Sequence, residues 1–587
     1  MKKLRIAVAG PALIATALGM LGCTPAGDSP VATATDTGLT KADQIFSGGP
    51  IVTMDAVQGN PEAVAVRDGK ILAVGSNKEI EALRGDKTDQ VDLAGRTLLP
   101  GFIDGHSHFS MAVKSATWAN ISGAPVGNVA SIADILAELE AQAKRNRAGP
   151  GDWIIGYGYD QDTLSDGRHA TRDDLDAAFP DNPVIMIHVS FHGAVLNSKA
   201  FDAVGYDEST PTPEGGVIVR REGGNEPLGL IMETAWFPAL QAVPSPDGDA
   251  RFANINLAQD LYASNGITTV QEGHASMEDF SLYKDAAERG DLYLDLVALG
   301  SPQELPQFVA EKAKYTDYND HLKLGGIKIV GDGSPQGKTA FFTKPYLTGG
   351  PGGEQGWRGE PIVGQEQMDQ LLEAIYGAGL RAFVHANADA EVDVLLNAHK
   401  KHADLAGENA RTVIIHSQFM RREQLDDYAR YGMVPSFFSN HAFYWGDVHV
   451  ENLGTERAFF LSPMKTASDL GIHFTNHSDY IVTPLNPLFT VWSAVNRISR
   501  SGQVIGGDER ITPAQALKAI TLDGAWQYLE EDSKGSISVG KLADLVILDA
   551  NPLTVDPMAI KDIKVLATYK EGKLVYSAGK HNKPQQD

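Results

Sequence analysis

Between Leu98 and Asp479, short apolar runs of β-type residues alternate with helix-like stretches, and this alternation constrains the fold more than any other feature. A strand, a helix and another strand in succession lead to a parallel sheet with helices on its outside. Eight candidate strands are present: "LLPGFIDGH" (Leu98–His106), "GITTVQEG" (Gly266–Gly273), "LYLDLVALG" (Leu292–Gly300), "GGIKIVGDG" (Gly325–Gly333), "LRAFVHAN" (Leu380–Asn387), "RTVIIHSQ" (Arg411–Gln418), "MVPSFFSN" (Met433–Asn440) and "IHFTNHSD" (Ile472–Asp479). Stretches such as "GQEQMDQLLEAIYGAG" and "RREQLDDYARYG" separate most of them. Eight such units predict an α/β fold of the (β/α)8 TIM-barrel type, spanning 99–530.

More than 150 residues separate the first two strands, and they carry strand-like pieces of their own, "DWIIGYGYD" and "NPVIMIHVSFHGAVLNS". This stretch, about 110–255, is expected to form an inserted cap or substrate-binding subdomain. Both flanks have a different texture. "AVAVRDGKILAVGS" (Ala63–Ser76) holds two short apolar strands about Asp68–Gly69, a hairpin signal. Similar runs return in "SISVGKLADLVILDA" and "VLATYKEGKLVYSAG". Residues 43–98 and 531–580 are therefore expected to build one composite β-sandwich.

The N-terminus begins with Lys2, Lys3 and Arg5, followed by an apolar run ending at Cys23, the chain's single cysteine. That is the layout of a signal peptide. "MLGC" (Met20–Cys23) resembles a bacterial lipobox, which implies a signal peptide over 1–22, a lipid on Cys23 and a flexible tether over 23–42. A plain secretory signal or an uncleaved anchor are the other readings. The run is shorter than the roughly 20 residues that span a bilayer. The expected location is the bacterial cell envelope, periplasmic or outer-membrane, lipid-anchored through Cys23. One cysteine leaves no internal disulfide and no catalytic thiol. Fifty Lys and Arg against 75 Asp and Glu give a net charge of −25, which repels nucleic-acid phosphates and anionic headgroups. Neither is an expected partner, and membrane contact is expected only through the lipid.

A TIM barrel keeps its chemistry at the C-terminal ends of its strands. Strand one ends in His106 and His108, whose i, i+2 spacing puts both imidazoles on one face, as a divalent cation requires. Strand four contains Lys328, strand five His385, strand six His416, and strand eight ends at Asp479. Six such residues around one mouth are hard to assign to chance.

These residues sit in motifs that identify a family. The chain resembles the metal-dependent amidohydrolase superfamily and, within it, the YtcJ-like "amidohydrolase 3" group, which includes N-substituted formamide deformylase-like proteins. The motifs that carry the resemblance are "PGFIDGHSH", "WIIGYGYD", "HGAVLNSKAF", "GGIKIVGDGS" with "GKTAFFTKPY", "VHANADAEVD", "NHSDYIVTPLNPLFTVWSAVNR" and "GSISVGKLADLVIL". It spans roughly Asp43 to Gly579. It implies two divalent metal ions, expected to be zinc: His106, His108 and Asp479 on the first, His385 and His416 on the second. Lys328 would bridge both as N6-carboxylysine, because a free ammonium cannot ligate a cation. Two cations about 3.5–4 Å apart acidify a shared water, whose hydroxide attacks a carbonyl. Asp479 would accept its proton and pass it to the leaving nitrogen.

The implied reaction is hydrolysis of a non-peptide carbon–nitrogen bond in a small N-acyl or N-formyl amide. An esterase, lactonase or deaminase on the same platform, or a non-catalytic envelope binding lipoprotein, are the alternatives. A homodimer is a candidate assembly. Expected substrate contacts are His192, His441, Trp445 and His477, the last being either a site residue or one packed beneath the barrel mouth. Three positions depart from the group's pattern. Ile415 replaces an expected Glu, His477 precedes Ser478-Asp479 where Gly is usual, and Ala388 replaces Gly. His274, His399 and His402 read as surface residues, and the glycine-rich Leu347–Pro361 as a mobile loop.

Overall fold

The computed structural model describes residues 40–579, apart from 58, 125, 190–192, 214–215, 245–246, 352–353 and 408–409. The signal-like run, Cys23, most of the tether and His192 lie outside the described residues. Among those described, no helix is long and apolar enough to cross a membrane.

Eight parallel strands form one sheet: β1 (Phe102–Ile103), β2 (Ile267–Ala275), β3 (Asp295–Gly300), β4 (Leu322–Val330), β5 (Ala382–Ala386), β6 (Val413–His416), β7 (Val434–Phe437) and β8 (Thr475–Asn476). They are hydrogen-bonded in sequence order. The sheet closes where the Asp479 N–H donates to the His106 carbonyl (3.2 Å) and the His108 N–H to that of Tyr480 (2.9 Å). All of β3 and nearly all of β4 are buried, so both read as apolar runs rather than alternating ones. The helices bury one stripe each. In Met277–Arg289 that stripe is Phe280, Tyr283, Ala286 and Ala287. Ser276 caps its start through a capping box, and Gly290, at φ 74°, ends it.

The first expected strand divides in two. Thr97–Pro100 pairs antiparallel with Leu545–Leu548 in a different sheet, and only Phe102–Ile103 joins the barrel. Gly101 permits the change of direction, since a Cβ there would lie 2.5 Å from the Thr268 side chain. The sheet containing Thr97–Pro100 continues through Val565–Lys570 and Lys573–Ser577. A second four-stranded sheet runs Lys70–Gly75, Ala63–Arg67, Gln44–Ser47, Asp89–Asp92. Phe46 and Val64 from one sheet and Leu98, Ile547 and Tyr569 from the other share a single core. The turn at Asp68–Gly69 has φ of 50° and 73°, as a tight hairpin requires.

Between β1 and β2 a six-stranded sheet forms from Ala119–Asn120, Ile154–Tyr159, Val184–His188, Gly193–Leu196, Pro227–Glu233 and Gly216–Arg220. The helix that follows, Gly248–Ser264, packs Ile255 and Tyr262 into the barrel core, so its first turns do not belong with the insert. Another expectation fails on helix Asp389–Ala406. His399 and His402 are buried, not exposed. They extend the apolar stripe of Val392, Leu395 and Leu396, and His399 Nδ1 lies 2.9 Å from the Tyr376 hydroxyl. The glycine-rich loop is tied down at its start, where the Leu347 N–H donates to Asn452 O (2.8 Å), and Trp357 Nε1 donates to Lys338 O (2.6 Å).

Candidate active site

His106 is almost fully buried, and its Nδ1 lies 2.6 Å from Gln271 Oε1. The Gln271 amide nitrogen donates to Gly105 O (3.2 Å) and reaches the Tyr528 hydroxyl (2.7 Å), which fixes Oε1 as the acceptor facing the ring. His106 therefore carries its proton on Nδ1 and directs the Nε2 lone pair into the barrel. That Nε2 lies 3.1 Å from Lys328 Nζ and 3.5 Å from Asp479 Oδ1. Gly273 makes room for the ring, because a Cβ there would lie 2.5 Å from its Cε1.

His108 Nε2 is also 3.5 Å from Asp479 Oδ1, and its Nδ1 is 3.9 Å from Glu272 Oε1. Glu272 is fully buried and accepts the backbone N–H groups of Ser110 and His274. Burial pushes its carboxyl up, but the His108 side chain and those N–H groups outweigh it and hold the pKa below the usual value. Glu272 thus anchors the turn that follows the histidine pair.

Lys328 is 2% exposed. Burial pulls its ammonium down to about 8, against the opposing pull of Asp479 and Glu272. On β5, His385 Nδ1 lies 3.2 Å from Asp332 Oδ1. Asp332 in turn accepts N–H groups from Phe341 (3.1 Å), Asn387 (2.9 Å) and Ala388 (3.1 Å), so it is held rigidly beneath the ring. His416 meets His385 edge-on, with ring centroids 4.5 Å apart. Its Nε2 is 3.9 Å from Asp479 Oδ2. Burial, reinforced by the neighbouring imidazoles and Lys328, holds His416 well below its ordinary pKa, and burial does the same for His106. Both are neutral, as metal ligands must be. His416 and Asp479 adopt left-handed φ values of 75° and 50°, strain that is common where a side chain must be aimed at a site.

The structure thus brings His106, His108, Lys328, His385, His416 and Asp479 to one mouth. His477 lies among them, its ring 5.2 Å from those of both His106 and His416. It is buried, and neither ring nitrogen has a hydrogen-bond partner. His441 and Trp445 stand one layer away. Phe438 packs on His477 (4.8 Å) and on His441 (4.6 Å), and Trp445 covers His441 (4.4 Å). Sequence reasoning missed Gln271, which orients His106, Glu272, which anchors the turn after His108, and Asp332, which lies against His385 without a hydrogen bond to it. Where an acidic residue was expected before His416, Ile415 leaves the buried His416 Nδ1 with no hydrogen bond.

The donors fit a divalent cation. Donor atoms of His106, His108 and Asp479 all lie within 4.8 Å of one another. Two donors about 2.1 Å from one tetrahedral zinc stand about 3.4 Å apart, close to the 3.5 Å that separates Asp479 Oδ1 from each of His106 Nε2 and His108 Nε2. Among the described residues, none donates a hydrogen bond to the buried Asp479 Oδ1.

The amidohydrolase family model of the Amidohydro_3 type matches residues 89–576. The putative amidohydrolase YtcJ of Bacillus subtilis (strain 168) is 29% identical over 547 residues, which cover 91% of this chain and 99% of that protein. The N-substituted formamide deformylase of Arthrobacter pascens is 26% identical over 553 residues, 91% of this chain and 98% of its own. The crystal structure of an uncharacterized metal-dependent hydrolase from Pyrococcus furiosus matches with a TM-score of 0.68 at 25% identity, covering 87% of this chain and 100% of that one. With a buried cluster whose donors could hold a cation at the mouth of an eight-stranded barrel and a family match across most of its length, the chain belongs to the amidohydrolase family and is a metal-dependent hydrolase of carbon–nitrogen bonds.

Proposed function

We propose that the substrate is a small N-acyl or N-formyl amide. The observation that carries this reading is the arrangement of Asp479, whose buried Oδ1 faces two imidazoles at 3.5 Å and accepts no hydrogen bond. The full-length similarity to an N-substituted formamide deformylase supports it. His106, His108 and Asp479 would hold one cation, expected to be zinc, and His385 and His416 a second. Lys328 would stand between them as its carbamate, formed when its neutral amine adds carbon dioxide and releases a proton. Burial of Lys328 favours the neutral amine that this addition needs. Bound there, the cations would supply an acidified water and a Lewis acid for the substrate carbonyl.

The remaining work falls to side chains. Asp479 Oδ1 takes the proton of the attacking water and carries it to the leaving nitrogen, which must depart as an amine. Gln271 holds His106 in one tautomer, and Glu272 holds the turn after His108. Residues 43–98 and 531–580 act as one composite β-sandwich under the barrel, and the insert between β1 and the helix Gly248–Ser264 caps the mouth. His441, Trp445, His477 and His192 contact the substrate. Anchorage through a lipidated Cys23 is inferred from the sequence alone, and its test is fatty-acid labelling lost in Cys23→Ala.

The functional test is amine release from a panel of N-formyl and N-acetyl amines by metal-loaded protein in bicarbonate. The expected result is turnover of amides, lost in Asp479→Asn. Turnover of esters, lactones or aminopurines with no amide cleavage would contradict the reading.

A further inference from the structure

The alternation of side chains along a strand turns His477 into the barrel. Thr475, two residues earlier, points inward, where its Oγ1 meets Ser436 Oγ (2.8 Å) and Gln527 Oε1 (2.7 Å). Asn476 points the other way, its Nδ2 reaching Ser439 Oγ (2.8 Å) and the Thr490 carbonyl of the surrounding helix Pro487–Asn496 (3.2 Å). His477, whose backbone N–H donates to Phe437 O (3.0 Å), returns inward one step nearer the mouth. It is 2% exposed, yet neither ring nitrogen has a hydrogen-bond partner among the described residues. Buried polar groups are normally satisfied, and a neutral imidazole carries one N–H and one lone pair. A divalent cation is a fitting partner for that lone pair.

Ring spacing tells which cations His477 can join. Two imidazoles on one tetrahedral zinc place their centroids about 5 Å apart, given a Zn–N distance of about 2.1 Å and about 1.1 Å more to each ring centre. His106 and His108, assigned to one cation, stand 5.1 Å apart, and His385 and His416, assigned to the other, 4.5 Å. His477 falls beside these values, at 5.2 Å from both His106 and His416, whereas those two are 5.7 Å from each other. By distance it reaches either cation. The donor count decides between them. His106, His108 and Asp479 already give the first cation the three protein ligands that a catalytic zinc usually has. His385 and His416 leave the second one short. The other N–H of a ligating histidine usually meets a carboxylate or a backbone carbonyl, and the Ser436 carbonyl is near enough to act on the His477 ring, though not at hydrogen-bond geometry.

Resting on the two-cation reading above, we propose that His477 is a third imidazole ligand of the cation held by His385 and His416, a role beyond the substrate contact given to it there. The second cation then has three nitrogen donors from this chain, where the glycine usual in the family at this position supplies none.

Two measurements test this. In protein with 15N-labelled histidines, loaded with cadmium-113 in bicarbonate, scalar coupling reports which ring nitrogens bind each metal, and wild type alone gives the count. The expected result is five coupled imidazoles, two on one cadmium and three on the other. In His385→Asn the coupling should be lost from the cadmium that had three. In zinc-loaded protein, His477→Phe keeps a ring against Phe438 and removes both nitrogens. It should weaken the more loosely held zinc by at least about 10-fold in chelator competition, a loss that outer partners of a ligand alone can bring. The chelator-stripped variant should unfold at a urea midpoint no lower than that of wild type, since no hydrogen bond is removed. Two imidazoles on each cadmium, a coupling lost from the two-nitrogen cadmium in His385→Asn, or unchanged zinc affinity in His477→Phe would each overturn the proposal. Absence of any bound cadmium would remove the two-cation reading itself, and the proposal with it.

Discussion

Glu391 offers a measurable consequence of burial without compensation. It lies in helix Asp389–Ala406 with no solvent exposure, and neither carboxyl oxygen has a hydrogen-bond partner. Its Oε1 rests where a Gly331 Cβ would stand, at 2.3 Å, which requires glycine there. Burial, with Asp332 adding to it, raises its pKa from the usual 4.5 to about 9. The folded state therefore keeps a proton that the unfolded chain releases above the lower value. Stability from this group is full below the lower value and falls as pH rises toward the higher one. Each unit in that window costs up to about 1.4 kcal/mol, so moving from about pH 5 to about pH 8 costs at most roughly 4 kcal/mol. Local hydration would reduce that to ~1–3 kcal/mol. Glu391→Gln keeps the shape and removes the titration. In chelator-stripped protein, so that no cation charge enters, the variant's urea midpoint relative to wild type should rise between about pH 5 and about pH 8. A pH-independent difference between the two proteins would refute the reasoning.

Other expectations concern the supports of the barrel. Lys570 Nζ bridges Asp295 (2.7 Å) and Asp544 (3.0 Å) in a buried network with Lys534 and Glu530. Lys570→Met leaves the buried Asp544 without its ammonium partner, while Asp295 keeps Lys534, and should cost about 3–5 kcal/mol in chemical denaturation. Because this network lies at the start of β3, opposite the mouth, the folded variant should bind metal as wild type does. Gln271→Leu frees the His106 tautomer and should weaken metal binding by about 10–100-fold in chelator competition, while the fold persists.

Much of the architecture could be read from the chain because the eight strands are short apolar runs whose ends carry the polar chemistry. The spacing of His106 and His108 marked the pair, although both lie beyond β1, which ends at Ile103, and Asp479 was marked by its place at the end of the last run. The orienting residues were harder to see. Gln271 and Glu272 interrupt the apolar "GITTVQEG", a signal that something polar is buried there, but the His106–Ser110 segment they hold is more than 160 residues away in sequence. Asp332 stands in "GDG", where a turn explains it equally well. His399 and His402 were misread although they continue the stripe of Val392, Leu395 and Leu396 at helical spacing. The division at Gly101 depends on how closely Thr268 approaches, and only the folded chain shows that.

The central claim is a cation cluster bridged by Lys328. Its most direct test is metal content per chain after purification without chelators and with bicarbonate present, on protein lacking residues 1–23. Two equivalents, falling in Lys328→Ala, are the expected result. One equivalent unchanged by Lys328→Ala, or none at all, would contradict it.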